Sequence, residues 1–175
     1  MIRTKASQVS PIFKDFMIKC PSLDNFLNSQ SEINKQLFSS LGLHFRANFF
    51  EEIKIKIKND YNNEIPNNIK DLKSLKGIGN YSANAILCFG FNQRRALLDT
   101  NFINIYKRVF NVQSKTKTPK NDKYLWEFSE FLLPEKKFVR FNYNILDLGG
   151  IICKSRNPQC NTCPLGIICN YNNLH

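Results

Sequence analysis

Two glycines one residue apart, Gly77 and Gly79, interrupt a stretch that is otherwise helical in pattern, and no other feature constrains the chain as much. Before them, Asn68 to Leu75 carries Leu72 and Leu75 at helical spacing, and after them Asn80 to Phe89 carries Ala83, Ala85, Ile86 and Phe89. Lys76-Gly77-Ile78-Gly79 is therefore expected to form a tight surface hairpin between two helices with apolar faces. Glycine tolerates positive φ and close backbone approach, so consecutive N–H groups would point outward where the second helix begins and its dipole is positive. Such a loop can seat an anion. Taken alone, two glycines so spaced make only an inter-helix turn.

The pattern resembles a helix-hairpin-helix, a DNA-backbone-binding element. Further on, Leu97-Leu98-Asp99-Thr100-Asn101 precedes another helical stripe of Phe102, Ile103, Ile105, Tyr106, Val109 and Phe110. Asp99 by itself is most simply an N-cap, because a carboxylate there accepts orphan N–H bonds. In order, however, L-x-x-L-x-G-I-G-x-Y-x-A-x-A-I followed by L-D-x-N-x-x-x-x-x-x-R closely resembles the helix-hairpin-helix DNA glycosylase superfamily. Endonuclease III, the adenine DNA glycosylases and the thymine-DNA mismatch glycosylases belong to it. The resemblance implies that Asp99 is catalytic and that the hairpin backbone, Gly77, Ile78 and Gly79, contacts DNA; Lys76 departs from the proline that the family often has there and is expected to add a phosphate contact.

The chain has 175 residues, enough for one domain or two small ones with a sizeable core, and its 15 phenylalanines support that. With 25 Lys and Arg against 14 Asp and Glu, its net charge of +11 points to a nucleic acid or another anionic surface. No long apolar run occurs, and Met1-Ile2-Arg3-Thr4-Lys5 leads into none, so neither a membrane span nor a secretory signal is expected. The expected location is cytoplasmic and nucleoid-associated.

Of the 6 cysteines, Cys20 and Cys88 stand apart and read as ordinary buried thiols. The others form Cys153-x6-Cys160-x2-Cys163-x5-Cys169, which in a reducing compartment reads as a metal site. Structural zinc usually takes paired C-x2-4-C knuckles, whereas compact loops of mixed spacing suit iron-sulfur ligation. The spacing therefore favours 4Fe-4S over zinc, and the resemblance strengthens that, since this is the family's C-terminal cluster motif. Lys154 and Arg156, between the first ligands, read either as a solvated loop or, by the resemblance, as phosphate contacts.

The remaining segments complete an all-α picture. Residues 3–18 carry a helical stripe with a break expected near Ser10-Pro11, Pro21 to Leu27 suggests a short capped helix, and Ser31-Glu32 opens another that runs to Gly42. Ile53, Ile55 and Ile57 alternate as a strand would, but Phe45, Phe49, Phe50, Ile53 and Ile57 make a helical face, and helix is the preferred reading. A polar loop follows Phe110, then helices over Tyr124 to Leu133 and Phe138 to Ile152.

The resemblance implies a helical barrel domain over 1–94, with the helix-hairpin-helix at about 68–90, and a cluster domain over 95–175 with its loop at 153–169. By the same resemblance Tyr81 belongs to the catalytic site with Asp99: it occupies the position where bifunctional members carry a Schiff-base lysine, so a monofunctional enzyme is expected, closest to the thymine-DNA mismatch glycosylases. Its substrate would be thymine or uracil opposite guanine in double-stranded DNA. Alternatives are adenine or oxidised-pyrimidine specificity, or a non-catalytic or truncated DNA-binding module. The family normally has helical sequence before a segment like Ile2 to Ala6, so the chain is expected to lack N-terminal helices. It would act as a monomer, or with a partner that completes them.

Overall fold

The computed structural model describes residues 6–30, 35 and 44–173, and every element among them is helical. They fall into two compact units, Met1–Gly79 and Asn80–His175. The helix expected to open at Ser31 lies outside the described residues.

In the first unit, α1 (Ala6–Lys19) runs unbroken through Pro11, contrary to the expected break. Pro11 falls in the second turn, where its missing N–H costs one backbone bond and little helix precedes its ring. Helix α2 (Leu23–Asn28) is capped by Ser22, whose hydroxyl accepts the Asn25 N–H at 3.2 Å. Helix α3 (His44–Asp60) confirms the helical reading of the isoleucine-lysine stretch. Ile57 is buried while Ile55 is 60% exposed, which strand alternation would not allow. Phe26 meets Phe16 and Phe50 edge-on at ring distances of 5.9 and 5.7 Å. Lys54, though charged, is buried beside them, because its ammonium donates to Ser29 O at 2.9 Å and Glu51 Oε1 at 3.1 Å. Asn62 and Asn63, both left-handed, end this region, and Asn68 caps α4 (Ile69–Ser74) by accepting the Asp71 N–H.

The second unit opens directly with α5 (Asn80–Ala85), whose last turn widens into a π-helical stretch over Ile86–Gly90. An irregular segment then leads to α6 (Thr100–Phe110). Phe102, Ile105, Tyr106 and Val109 recur at the spacing of one helical face, and all four are buried. They form a core with Leu97, Leu98, Leu125 and Cys169. Left-handed Asn111 closes α6, and Val112 N–H reaches back to Tyr106 O.

The loop after α6 is more ordered than its polar composition suggests. Asp122 caps α7 (Lys123–Leu132) through Tyr124 N–H and also accepts from Ser114 Oγ at 2.7 Å and Lys115 N at 2.6 Å. Helix α8 (Phe138–Asp147) again ends in a π-helical stretch, Leu148–Ile152, so the long final helix expected to Ile152 changes its winding before Cys153. There Gly149 lies flat against α6: a methyl added to it would sit 2.5 Å from Asn101 Cβ. The cysteine loop and a short α9 (Asn170–Asn173) follow. No helix among the described residues is long and apolar enough to cross a membrane.

Candidate active site

Asp99 is held in extended conformation where the irregular segment meets α6, and it is half-buried. Its Oδ1 accepts the Asn101 N–H at 2.8 Å and the Phe102 N–H at 3.1 Å, so the plain capping role is present. Oδ2 takes part in neither bond. The cap thus fixes the carboxylate's orientation and leaves one oxygen uncommitted to the helix.

Tyr81, on the first turn of α5, packs half-buried against the same core. Burial chiefly, and the negative charge of Asp99 in addition, push its phenol above the ordinary range. The two side chains singled out as catalytic therefore share one electrostatic neighbourhood. Tyr106, on the same helix that Asp99 caps, is pushed up to about 12 by burial, with Asp99 adding to the rise. Both phenols are protonated at neutral pH and can donate hydrogen bonds but not act as bases.

The hairpin residues lie in the first unit. Gly77 alone adopts positive φ, +78°, and a methyl there would strike the Phe49 ring at 2.7 Å. Gly79 does not need positive φ; what distinguishes it is open space, with nothing within 4 Å of an added methyl. The Ile78 N–H turns back to Leu75 O at 3.2 Å, so the expected row of outward amides is interrupted at its centre. Exposed Lys76 stands over the Phe49 ring at 5.8 Å and 3.9 Å from Glu52, a loose surface pair that leaves its ammonium accessible.

The four cysteines of the C-terminal motif line one small pocket, together with Arg108, Val109, Leu148, Ile152, Leu165 and Tyr171. They are free thiols. Among the described residues, no three Cys, His, Asp or Glu side chains converge tightly enough to hold a metal ion. Lys154 and Arg156 are both exposed.

Arg108 organises this loop, a role that no motif in the sequence assigns to it. Its guanidinium donates to Cys153 O at 3.2 Å, Lys154 O at 2.7 Å and Ser155 O at 3.0 Å, and Nη1 lies 3.4 Å from Cys153 Sγ. The same guanidinium stands 5.3 Å from the centre of the Tyr171 ring. The only signal for it is the final arginine of L-D-x-N-x-x-x-x-x-x-R, on the helix that Asp99 caps.

A helix-hairpin-helix family model matches residues 60–89. The thymine/uracil-DNA glycosylase of Methanothermobacter thermautotrophicus is 34% identical over 171 residues, 97% of this chain and 76% of that protein. That of Pyrobaculum aerophilum is 32% identical over 166 residues, 93% of this chain and 72% of its own length. The chain belongs to the helix-hairpin-helix DNA glycosylase family. A solved structure of a thermostable thymine-DNA glycosylase superposes with a TM-score of 0.88 at 31% identity, covering 99% of this chain and 80% of that one. Membership makes the chain an enzyme of base excision that acts on N-glycosyl bonds, with the all-helical fold expected of this glycosylase family.

Proposed function

We propose that this glycosylase removes thymine or uracil opposite guanine from double-stranded DNA, acts as a monofunctional enzyme, and uses Asp99 for base release. The observation that carries the reading is that half-buried Asp99 is oriented through Oδ1 by the Asn101 and Phe102 amides while Oδ2 stays out of the cap, with half-buried Tyr81 near enough to feel its charge. The relatives named for thymine and uracil support the choice of base.

A base inside a duplex must be extruded before its glycosidic bond can be reached, and a mismatched nucleotide costs least to extrude. Cleavage then develops positive, oxocarbenium-like charge on the sugar. Asp99, oriented through Oδ1 by two backbone amides, offers a fixed negative charge to stabilise it or to orient the attacking water. Burial around it strengthens that interaction relative to water. Tyr81 has no amine and forms no Schiff base, so the product would be an intact strand with an abasic site. Lys76, Gly77, Ile78 and Gly79 would anchor the DNA backbone, with Gly79 supplying open access. Lys154 and Arg156 would add phosphate contacts from the cysteine loop. The enzyme would work as a monomer.

The thiols of the cysteine pocket do not converge on one ion, but a 4Fe-4S cluster binds each thiolate through a different iron, and what supports it here is that the four donors are all thiols lining one space with the Arg108 guanidinium directed at one sulfur. Cys153, Cys160, Cys163 and Cys169 would hold it. When bound, the cluster would supply a structural cross-link rather than hydrolytic chemistry.

The test is single-turnover base release by anaerobically purified protein on duplexes carrying G:T, G:U, A:8-oxoguanine or an oxidised pyrimidine. Release of thymine or uracil that Asp99→Asn abolishes, leaving a site that breaks only in alkali, is the expected result. Preference for either of the other duplexes would overturn the base assignment, and undiminished release by Asp99→Asn would overturn the role of the carboxylate.

A further inference from the structure

The irregular segment before Asp99 has no backbone ladder to hold it, yet its polar groups are paired one after another with side chains from two helices. Arg95 O accepts from Asn142 Nδ2 of α8 at 3.0 Å. Ala96 N–H donates to Glu130 Oε2 of α7 at 3.2 Å. Leu97 O accepts from Ser129 Oγ of α7 at 2.7 Å. Arg94 adds its own bonds to Glu130 Oε1 and Leu133 O, at 2.8 and 2.6 Å.

The Ser129 bond differs from the others in depth. Ser129 is 1% exposed, and its oxygen also lies 2.6 Å from the Tyr106 hydroxyl. A serine hydroxyl has one proton, and Leu97 O, which can only accept, takes it. Tyr106 must therefore donate to Ser129, giving a directed chain from Tyr106 to Ser129 to Leu97 O that ends two residues before the carboxylate. Tyr106 lies on α6, the helix that Asp99 caps, so the chain ties that helix, α7 and the segment into one closed circuit. A one-ångström error in placing a reacting group can cost about 100-fold in rate, and this circuit fixes where Asp99 enters its helix.

We propose that Ser129 is a positioning residue for base release, holding Asp99 in place through the Leu97 carbonyl. This rests on the reading of Asp99 given above. Nothing in the local pattern Tyr124 to Leu133 marks Ser129 for such a role; it stands on the buried face of an amphipathic helix.

The experiment compares Ser129→Ala, Tyr106→Phe, the double variant and Asp99→Asn. It reads single-turnover release on the G:T or G:U duplex that the unaltered chain cleaves faster, affinity for the same duplex with a non-cleavable sugar, and melting temperature. Ser129→Ala strands both the Tyr106 hydroxyl and the Leu97 carbonyl, whereas the double variant removes the stranded hydroxyl and regains part of the lost melting temperature. Release slowed about 100-fold in both, with affinity unchanged and no recovery in the double variant, is the expected result. Recovery of the rate together with the melting temperature would make Ser129 merely structural and overturn the proposal, as would near-normal release by Ser129→Ala. If Ser129→Ala does not fold, a double variant no slower than Tyr106→Phe overturns the proposal in its place. Loss of release in Asp99→Asn beside normal rates in the Ser129 variants sinks the positioning role alone, whereas normal release by Asp99→Asn sinks the site reading itself.

Discussion

Arg108 and Cys153 are joined at two points: Nη1 lies 3.2 Å from the cysteine's carbonyl oxygen and 3.4 Å from its sulfur. Replacing Arg108 with methionine keeps much of the apolar stem and deprives the carbonyls of Cys153, Lys154 and Ser155 of a common donor. Lysine would not restore them, since its ammonium lacks the planar fork that reaches several carbonyls at once. Both variants are expected to lose about 2 kcal/mol in chemical denaturation, in line with bonds to a charged group at a partly exposed site. Iron and sulfide of the proposed cluster, assayed per chain, should fall in parallel, and limited proteolysis should cut first between Cys153 and Cys160.

Stability in acid should depend on Asp122. Its carboxyl is held below the usual range, foremost by the Ser114 hydroxyl and then by the amides of Lys115, Tyr124 and Thr116, with burial opposing. A depressed carboxyl contributes stability that is fully present above its unfolded pKa and lost as pH falls through its folded pKa. The stability gap between the unaltered chain and Asp122→Asn should therefore be widest at neutral pH and close as pH falls below the ordinary carboxylate range. Urea melts at a series of pH values measure it, and a gap constant down to the acid limit would contradict the assignment.

Two adjacent glycines should behave differently. Gly149→Ala would place a methyl 2.5 Å from Asn101 Cβ and 3.3 Å from its Cα, so α6 and α8 must part. A loss of about 1–3 kcal/mol is expected, together with slower base release, because Asn101 donates one of the two bonds that orient Asp99. At Gly150 an added methyl meets nothing within 4 Å, and Gly150→Ala should be near neutral. Thermal melts of the pair separate close packing from any general intolerance of this turn.

The subclass position can be reversed. Tyr81→Lys places an amine beside the carboxylate whose charge Tyr81 senses. This variant is expected to nick its DNA product without alkali and to be trapped on it by borohydride, as a Schiff-base mechanism requires. Equal trapping of the unaltered chain would show that a different amine already serves and that the monofunctional reading is wrong.

The helices and the hairpin are legible because apolar periodicity and glycine punctuation are local signals; α6 shows its buried face at Phe102, Ile105, Tyr106 and Val109 in the sequence itself. Pro11 misleads because proline's effect depends on how much helix precedes it, and only about a turn does. Asp99 and Tyr81 stand out through their order along the chain, and the structure adds that the charge of one reaches the other. Ser129 and Asn142 are silent in the sequence, and the motif that contains Arg108 does not disclose what it clamps, for a common reason. Each acts on the backbone of a segment 32 to 47 residues away, and only the tertiary register of the helices decides which carbonyl a serine, an asparagine or an arginine will meet. Their residue types are ordinary where they stand, and no spacing rule names the carbonyls they meet.

Helix α6 carries Asp99 at its head and Arg108 near its tail, so it is in effect a rod roughly 16 Å long with the carboxylate on one end and the clamp of the cysteine loop on the other. A rod converts a small rotation at one end into a displacement at the other: a tilt of about 4° would carry the cap through about an ångström. With Asp99 in the role proposed for it, damage to the loop would reach base release as a change of angle, without any atom of the loop approaching the DNA base.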